Sequence, residues 1–377
     1  MMKNNISFVY ASDANLSGFR ANAIHVMKIC NSFAELCEEV TLFCIFNNDN
    51  DIYEKYGVTS QFCIKSSFNY NFRFLPDSIK CLISGFINAI RINCCYKNSY
   101  VHGRSLWTLY FLNKNRNFSY EVHSIPSKKI YEILESKILK RSNLKKLVTI
   151  SEPLRKEYSR RYPELSEKIK VLHDGADPVP LNTQKALLSS KDTNDLHIGY
   201  VGSLYPGKCM ETLIPIATMM PDIYFHIVGG SKDLVNYWKS ECVKNRINNI
   251  IFYGYVKPSE INSYYQAFDV VLLPYSKNIY YRKGKSDDIG KWISPLKLFE
   301  AMSNQKPIIV TSLNSIREIL EDGKDAFIIE SDDINKWVNT LRELISNASL
   351  RNRLGKNALN KFRTYYTWKK RAEQILD

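Results

Sequence analysis

The sequence predicts an α/β fold of two domains, each built on a parallel sheet, with a terminal helix that packs back on the first domain. Three observations predict it. The chain has 377 residues, too many for one ordinary core and suited to two cores of roughly 150 to 190 residues. Apolar runs of strand length alternate with helical patterns along nearly the whole chain, which implies strands that run parallel. The segment DGADPVPLNTQKALLSSKDTNDLH, from Asp174 to His197, loses that periodicity and gathers proline, serine, asparagine and aspartate, as a linker does.

The first domain is expected over residues 1–178. Its opening unit is strand, helix, strand: ISFVY (Ile6 to Tyr10), ANAIHVMKICNSFAEL, then VTLFCIF from Val40. Further strands are SYVHG near Tyr100, FSYEVH ending at His123, KLVTIS ending at Ser151 and KIKVLHDG before Gly175, with helical segments between them. The second domain, 179–358, restarts the alternation with HIGYVGS, IYFHIVGG, NIIFYGYV, DVVLLPY, KPIIVTS and DAFIIES. The tail from Leu350 is helical by pattern and rich in Lys and Arg, and 359–377 is expected to pack on the first domain.

With 45% hydrophobic and 24% charged residues, the chain has the composition of a soluble globular protein. Its net charge of +14 favours an anionic partner: nucleic acid, an acidic membrane face or a phosphorylated ligand. No helix-turn-helix, zinc-finger spacing or RNA-binding signature is present, which sets nucleic acid aside. The nine cysteines form no CxxC pair and are read as reduced core thiols of a cytoplasmic protein. MMKNNISFVYASD lacks the pattern of a signal peptide. The stretch CLISGFINAIRINCCY, from Cys81, is cut by Arg91 and falls short of the ~20 residues of a membrane span.

In parallel α/β sheets, ligands sit beyond the carboxyl ends of the strands, where loops meet helix N-termini. GYVGSLYPGKCMETLI places Gly199 and Gly202 at a strand end, a Pro206-Gly207 turn, and Lys208 just before a helix. Small residues let the backbone approach an anion, and the lysine adds a full charge. In GKWISPLKLFEAMSNQKPIIV, Pro295 suits a helical first turn, Ser294 can cap it, and Glu300 falls on an otherwise apolar face where a carboxylate needs hydroxyl or amide partners. His123 ends an apolar strand run at the sheet's carboxyl edge. The remaining histidines show no metal-ligand spacing, so no metal site is expected. The first loop, ASDANLSGFRAN, carries Gly18 and Arg20 but no dinucleotide fingerprint.

Together these segments resemble the family-four (group 1) retaining glycosyltransferases of the bacterial surface-polysaccharide type. That family has the GT-B fold, two Rossmann-like domains facing a cleft that holds a nucleotide sugar. The likeness covers nearly the whole chain: ANAIHVMKICNSFAELCEEVTLF and YEVHS in the first half, then VGSLYPGKCMETLI, FYGYV, DVVLLPY and SPLKLFEAMSNQKPIIV in the family's order, and TWKKRAEQIL at the end. It implies that Lys208 binds the donor diphosphate, with Gly202 and Ser203 beside it, and that Tyr255 and Val256 border the base. By the same likeness Ser294, Pro295, Leu296 and Lys297 present amides to phosphate and sugar, Glu300 holds the ribose, His123 contacts the transferred sugar, and Gly18 lets the first loop approach. Two positions depart from the family: Trp292 stands where many members carry a second glutamate, and Ser203 where an arginine is common.

The implied reaction is transfer of a sugar from a UDP- or GDP-type donor to an acceptor hydroxyl with retention, without metal or other cofactor. The implied acceptor is a growing, lipid-linked bacterial glycan. The basic residues Lys137, Lys140, Arg141, Lys145, Lys146, Arg155, Lys156, Arg160 and Arg161, with apolar Phe72, Phe74, Leu75, Leu82 and Phe86, suit peripheral contact with an anionic inner membrane face. Two other readings stand beside this one: another GT-B nucleotide-sugar enzyme such as an epimerase, and a catalytically silent sugar-nucleotide-binding subunit.

Overall fold

The computed structural model describes residues 4–18, 20–46, 51–66, 76–189, 196–276 and 290–377. The chain divides into two compact units, Met1–Asp174 with Trp368–Asp377, and Gly175–Thr367. The division falls at Asp174 where 178 was expected. The returning segment starts at Trp368 and not at 359, because Ala348–Tyr365 is one unbroken helix of the second unit.

Among the described residues, unit 1 holds seven parallel strands: β1 (Asn4–Asn15), β2 (Cys37–Ile45), β3 (Cys63–Ser66), β4 (Tyr100–Gly103), β5 (Phe118–Val122), β6 (Leu144–Thr149) and β7 (Ile169–Val171). Their spatial order is β3-β2-β1-β4-β5-β6-β7. The described residues of unit 2 hold six: β8 (His197–Val201), β9 (Tyr224–Val228), β10 (Ile250–Gly254), β11 (Val270–Leu273), β12 (Ile308–Thr311) and β13 (Phe327–Ile329), in the order β10-β9-β8-β11-β12-β13. In each sheet the order reverses once, between β1 and β4 and between β8 and β11. The loops at the carboxyl ends diverge there and leave room for a ligand.

The strands are near-continuous apolar runs because both faces of each sheet are covered. In unit 2, Tyr200, Phe225, Ile227 and Leu272 pack one way, against helices that contribute Leu213, Trp238 and Trp337. Val201, Val228, Val271 and Val310 pack the other way, with Leu298, Phe299 and Phe362. Adjacent residues of one strand therefore point to different cores, as the pleat requires. The last helix, Trp368–Leu376, buries Trp368, Arg371, Ala372 and Ile375 in unit 1. The cysteines are all free, but Cys63, Cys94 and Cys95 are exposed, which corrects the expectation of nine core thiols.

Candidate functional site

The carboxyl edge of the second sheet is built from strand-end turns that lean on one another. Gly202 N–H, after β8, donates to Val228 O at the end of β9 (2.8 Å), and Gly229 N–H donates to Gly254 O at the end of β10 (2.6 Å). Gly229 has φ +112°, and a Cβ there would stand 2.2 Å from the Gly202 carbonyl oxygen, so only glycine satisfies both constraints. The loop after β8 is also pinned from behind. Tyr200 Oη donates to Ser203 O (2.9 Å), Trp238 Nε1 to Leu204 O (2.9 Å) and Gly207 N–H to Glu211 (2.9 Å). Ser276 N–H, after β11, donates to Gly207 O (3.1 Å) and ties together the two loops that flank the switch point.

Lys208 projects from this loop just before helix Met210–Met219. Its ammonium lies 5.9 Å from the Tyr275 ring centroid. Burial, with the charge of Lys297 added, lowers its pKa to about 8. Lys297 belongs to helix Leu296–Ser303, and a Cβ on Gly202 would stand 2.6 Å from Lys297 Cε. Gly202, Lys208 and Lys297 therefore meet at the β8–β11 switch point. Two cations crowded into a partly dry site form a place that an anion would relieve.

The helix begins one residue later than expected. Pro295 itself is the N-cap residue, at φ −81° and ψ 116°, with no side-chain cap, so Ser294 is not the cap. Ser294 is buried beneath the turn. The first-turn amides of Leu296 and Lys297 have no intrahelical acceptor. Glu300, one turn on, is half buried, and the buried Tyr265 hydroxyl donates to its Oε2 at 3.2 Å. Tyr255 and Val256 follow Gly254 beyond the edge strand β10. Tyr255 is half exposed, and its phenol is pushed up to about 12 by burial and Glu260.

In unit 1, His123 follows β5 and meets a set of groups that sequence spacing does not reveal. Glu121, two residues earlier in the same strand, is fully buried. His123 Nε2 lies 2.6 Å from Glu121 Oε1 and His25 Nε2 3.1 Å from the same oxygen; His102 Nε2 lies 3.1 Å from Oε2 and Arg371 Nη2 2.9 Å from Oε2. His25 Nδ1 lies 3.0 Å from Asp174 Oδ1. The His25 and Arg371 Nη2 contacts are ion pairs whose angles fall outside hydrogen-bond geometry. Arg371 also donates through Nη1 to the carbonyls of Leu172 and His173.

Burial alone would raise the Glu121 carboxyl, but Arg371 and His25 outweigh it and hold the pKa well below the usual range. Burial would likewise lower His25, yet Asp174 and Glu121 raise it. His123 goes the other way: burial, then the nearby Arg104 guanidinium, lowers it to about 4. Two carboxylates thus face two cations, and His123 stays neutral. Removing one partner of such a buried pair costs about 3–5 kcal/mol. His25, His123 and Asp174 bring ligand-type atoms within 4.8 Å of one another, a grouping that sequence spacing did not reveal.

Beside this cluster, at the β1–β4 switch point, Ser105 Oγ donates to Asp13 Oδ1 (2.8 Å), and burial raises the Asp13 carboxyl to about 6. Gly18 is held by the Tyr56 hydroxyl, which donates to its carbonyl (2.7 Å), and a Cβ there would meet nothing within 4 Å.

The basic run is largely structural. Arg141 donates to the carbonyls of Leu109, Leu112 and Asn113 and lies over the Phe118 ring, and Lys146 holds the carbonyls of Gln374 and Ile375. Arg155 pairs with Glu152, and Arg160 and Arg161 pair with Glu157. Helix Asp77–Cys95 instead exposes Ile79, Leu82, Phe86 and Ile90 at helical spacing, and helix Lys129–Leu139 exposes Ile130 and Ile133. Phe72, Phe74 and Leu75 lie outside the described residues. Among the described residues, no helix is long and apolar enough to cross a membrane.

Comparison with known proteins agrees with this geometry. A family model described as Glycosyl transferases group 1 matches residues 188–361. Spore coat protein SA of Bacillus subtilis (strain 168) is 25% identical over 253 residues, 61% of this chain and 63% of that protein. The UDP-Gal:alpha-D-GlcNAc-diphosphoundecaprenol alpha-1,3-galactosyltransferase of Escherichia coli is 26% identical over 227 residues, 56% of this chain and 53% of that one. The matches thus span less than two thirds of these relatives' own lengths. The crystal structure of Anabaena HepE in complex with UDP aligns with a TM-score of 0.71 at 14% identity, over 98% of each chain, so the GT-B fold class expected from the sequence is the fold observed. Residues 188–361 are thus similar to the glycosyl transferases group 1 family.

Proposed function

We propose that the protein transfers a sugar from a nucleoside diphosphate sugar of UDP or GDP type to the hydroxyl of a growing, lipid-linked bacterial glycan, with retention of anomeric configuration. The observation that carries this reading is the pair of crowded cations, Lys208 and Lys297, at the β8–β11 switch point beside the first-turn amides of a helix. These groups take up the charge that develops on a leaving diphosphate, so the reading calls for no metal ion. Glu300, oriented by Tyr265, is placed to accept hydrogen bonds from a ribose diol. His123 is assigned, by the family resemblance, to contact with the transferred sugar. No carboxylate is assigned as a covalent nucleophile, and the leaving phosphate deprotonates the acceptor on the same face.

The name of the Escherichia coli relative supports a lipid-linked acceptor, and the bound UDP of the Anabaena structure supports the donor class. Peripheral membrane contact draws its support from the apolar row Ile79, Leu82, Phe86 and Ile90, with Lys137 and Lys140 on a neighbouring helix. Phe86→Asp should then reduce flotation with anionic vesicles, and unchanged flotation removes the contact.

The test of the whole reading is nucleotide release from a panel of donors, with and without chelator, for the wild type, Lys208→Ala and Glu300→Ala, followed by the anomeric NMR signal of the product. Release that survives both substitutions overturns the site. Tight nucleotide binding with no turnover on any donor would instead favour the silent binding subunit.

A further inference from the structure

We propose that Glu121, with Arg371 of the last helix as its counter-ion, is a positioning residue that fixes His123 as the neutral Nε2–H tautomer and leaves Nδ1 as the lone pair offered to substrate. The proposal rests on the reading that His123 meets the transferred sugar, and it adds which atom does so and what holds it there.

The tautomer follows from counting donors around one carboxylate. Glu121 Oε1 faces His123 Nε2 and His25 Nε2, and Oε2 faces His102 Nε2 and Arg371 Nη2, all between 2.6 and 3.1 Å. An ionised carboxylate only accepts, with room for about four donors. The two ring nitrogens in hydrogen-bond geometry with it, His123 Nε2 and His102 Nε2, therefore carry protons, since a lone pair at that distance would repel the oxygen. For His102 this puts the proton on Nε2 and makes Nδ1 the acceptor from Ser119 Oγ at 2.7 Å. His25 lies between Glu121 and Asp174, one nitrogen near each, and the two carboxylates favour its cationic form. For His123, Nε2–H donates to Glu121 Oε1, and because the ring is neutral, Nδ1 is bare.

The same count explains why the last helix is needed. Glu121 and Asp174 are two buried negative charges, and His25 supplies one positive charge between them. Arg371, itself buried, supplies the second. Its other nitrogen is spent on the Leu172 and His173 carbonyls, which fixes the guanidinium plane relative to the chain just ahead of Asp174. Trp368, one turn earlier, stacks edge-on to the His25 ring at 5.0 Å between centroids, and His25 in turn stacks edge-on to His123 at 5.1 Å. The charged groups facing His123 are thus Glu121 on β5, His25 on helix Ala21–Leu36, Arg104 after β4, Asp174 after β7, and Arg371 through Glu121. Without Arg371, the net field at His123 becomes more negative, and Nδ1 takes up its proton at a higher pH.

The test uses the full chain with ¹⁵N-labelled histidine. Long-range ¹H–¹⁵N spectra, assigned with His123→Asn, are expected to show His123 as the Nε2–H tautomer, unprotonated at the pH where free imidazole begins to titrate, near 6.5. Glu121→Gln should mix the tautomers and lower kcat about 10²-fold with donor KM unchanged, because a group is misplaced while the nucleotide residues in the other unit are intact. Arg371→Gln should move the His123 titration, and the acid limb of the pH–rate profile, upward. Arg371→Lys keeps the charge and should return both towards wild type. An Nδ1–H tautomer in the wild type overturns the proposal, as does a Glu121→Gln protein with unchanged tautomer and kcat. If Glu121→Gln or Arg371→Gln fails to fold, as a thermal melt would show, the wild-type tautomer and Arg371→Lys decide. If the wild type turns over no donor, the functional reading fails while the tautomer measurement still judges the assignment of Glu121.

Discussion

Replacing Gly229 by alanine isolates how the carboxyl edge of the sheet in unit 2 is held. Two penalties coincide there: a φ of +112°, which L side chains rarely adopt, and a Cβ placed 2.2 Å from the backbone oxygen of Gly202. The backbone strain is of order 1–3 kcal/mol. The clash adds roughly 1–3 kcal/mol of overpacking, because the obstructing atom is main chain and the Gly202 N–H is already bound to Val228 O at 2.8 Å. A total near 3 kcal/mol or above is expected. At about 2–4 °C per kcal/mol for a unit of this size, Tm should fall by roughly 6–12 °C. Two controls separate the penalties. Gly254 has φ +72° with nothing within 4 Å of a Cβ, so Gly254→Ala should cost about 1–2 kcal/mol for conformation alone. Gly18→Ala meets open space without a positive φ and should stay within about 0.5 kcal/mol of wild type. Calorimetry of the full chain gives the ranking. Equal shifts for Gly229→Ala and Gly254→Ala would refute the claim that the β8 and β9 turns are in steric contact.

Two further outcomes follow from the charges of unit 2. With Lys208 titrating at about 8, the affinity for a nucleoside diphosphate should decline between about pH 7.5 and 9 as the ammonium is lost, and Lys208→Arg should flatten that decline. Lys208→Ala should weaken binding by roughly 10- to 100-fold, the value of about 1.5–3 kcal/mol for a hydrogen bond to a charged group; unchanged affinity by calorimetric titration would remove Lys208 from the site. His226, buried between His197 Nδ1 and the Tyr253 hydroxyl at 3.0 Å each, is lowered to about 4 by burial and then His197. Between about pH 6.5 and 4 the unfolded chain takes a proton there that the folded chain refuses, so this residue makes stability fall as pH falls. In urea unfolding, His226→Gln should lose less stability than wild type from pH 7 to 4.5, and an equal or larger loss contradicts the assignment.

Much of the fold was legible because a parallel sheet writes itself as apolar runs: VTLFCIF, DVVLLPY and KPIIVTS all became strands. The strand Cys63–Ser66 escaped notice because, at an edge, two of its four residues are exposed and the run CIKS is short and polar. The break between Tyr365 and Trp368 was invisible because TYYTWKK carries neither glycine nor proline. Among the candidate residues, His123 in unit 1 and Lys208 and Glu300 in unit 2 were marked by their places at strand and helix ends. The partners of His123 were not, since His25, His102, Asp174 and Arg371 are brought together only by the fold. A signal was present in two places all the same. A glutamate inside the buried run FSYEVH demands a cation, and the buried face Trp368, Arg371, Ala372, Ile375 offers one where an apolar residue belongs.

The pairing of Arg371 with chain segments far upstream has a consequence for synthesis. Arg371 and the Leu172 carbonyl it binds are 199 residues apart, and the whole of unit 2 is made between them. At about 5–20 residues per second, the ribosome leaves unit 1 for roughly 10–40 s with Glu121 enclosed and one counter-charge missing. The first unit to be translated is therefore the last to be finished, and a chain cut short anywhere before Arg371, even with unit 2 entire, still lacks the residue that completes unit 1.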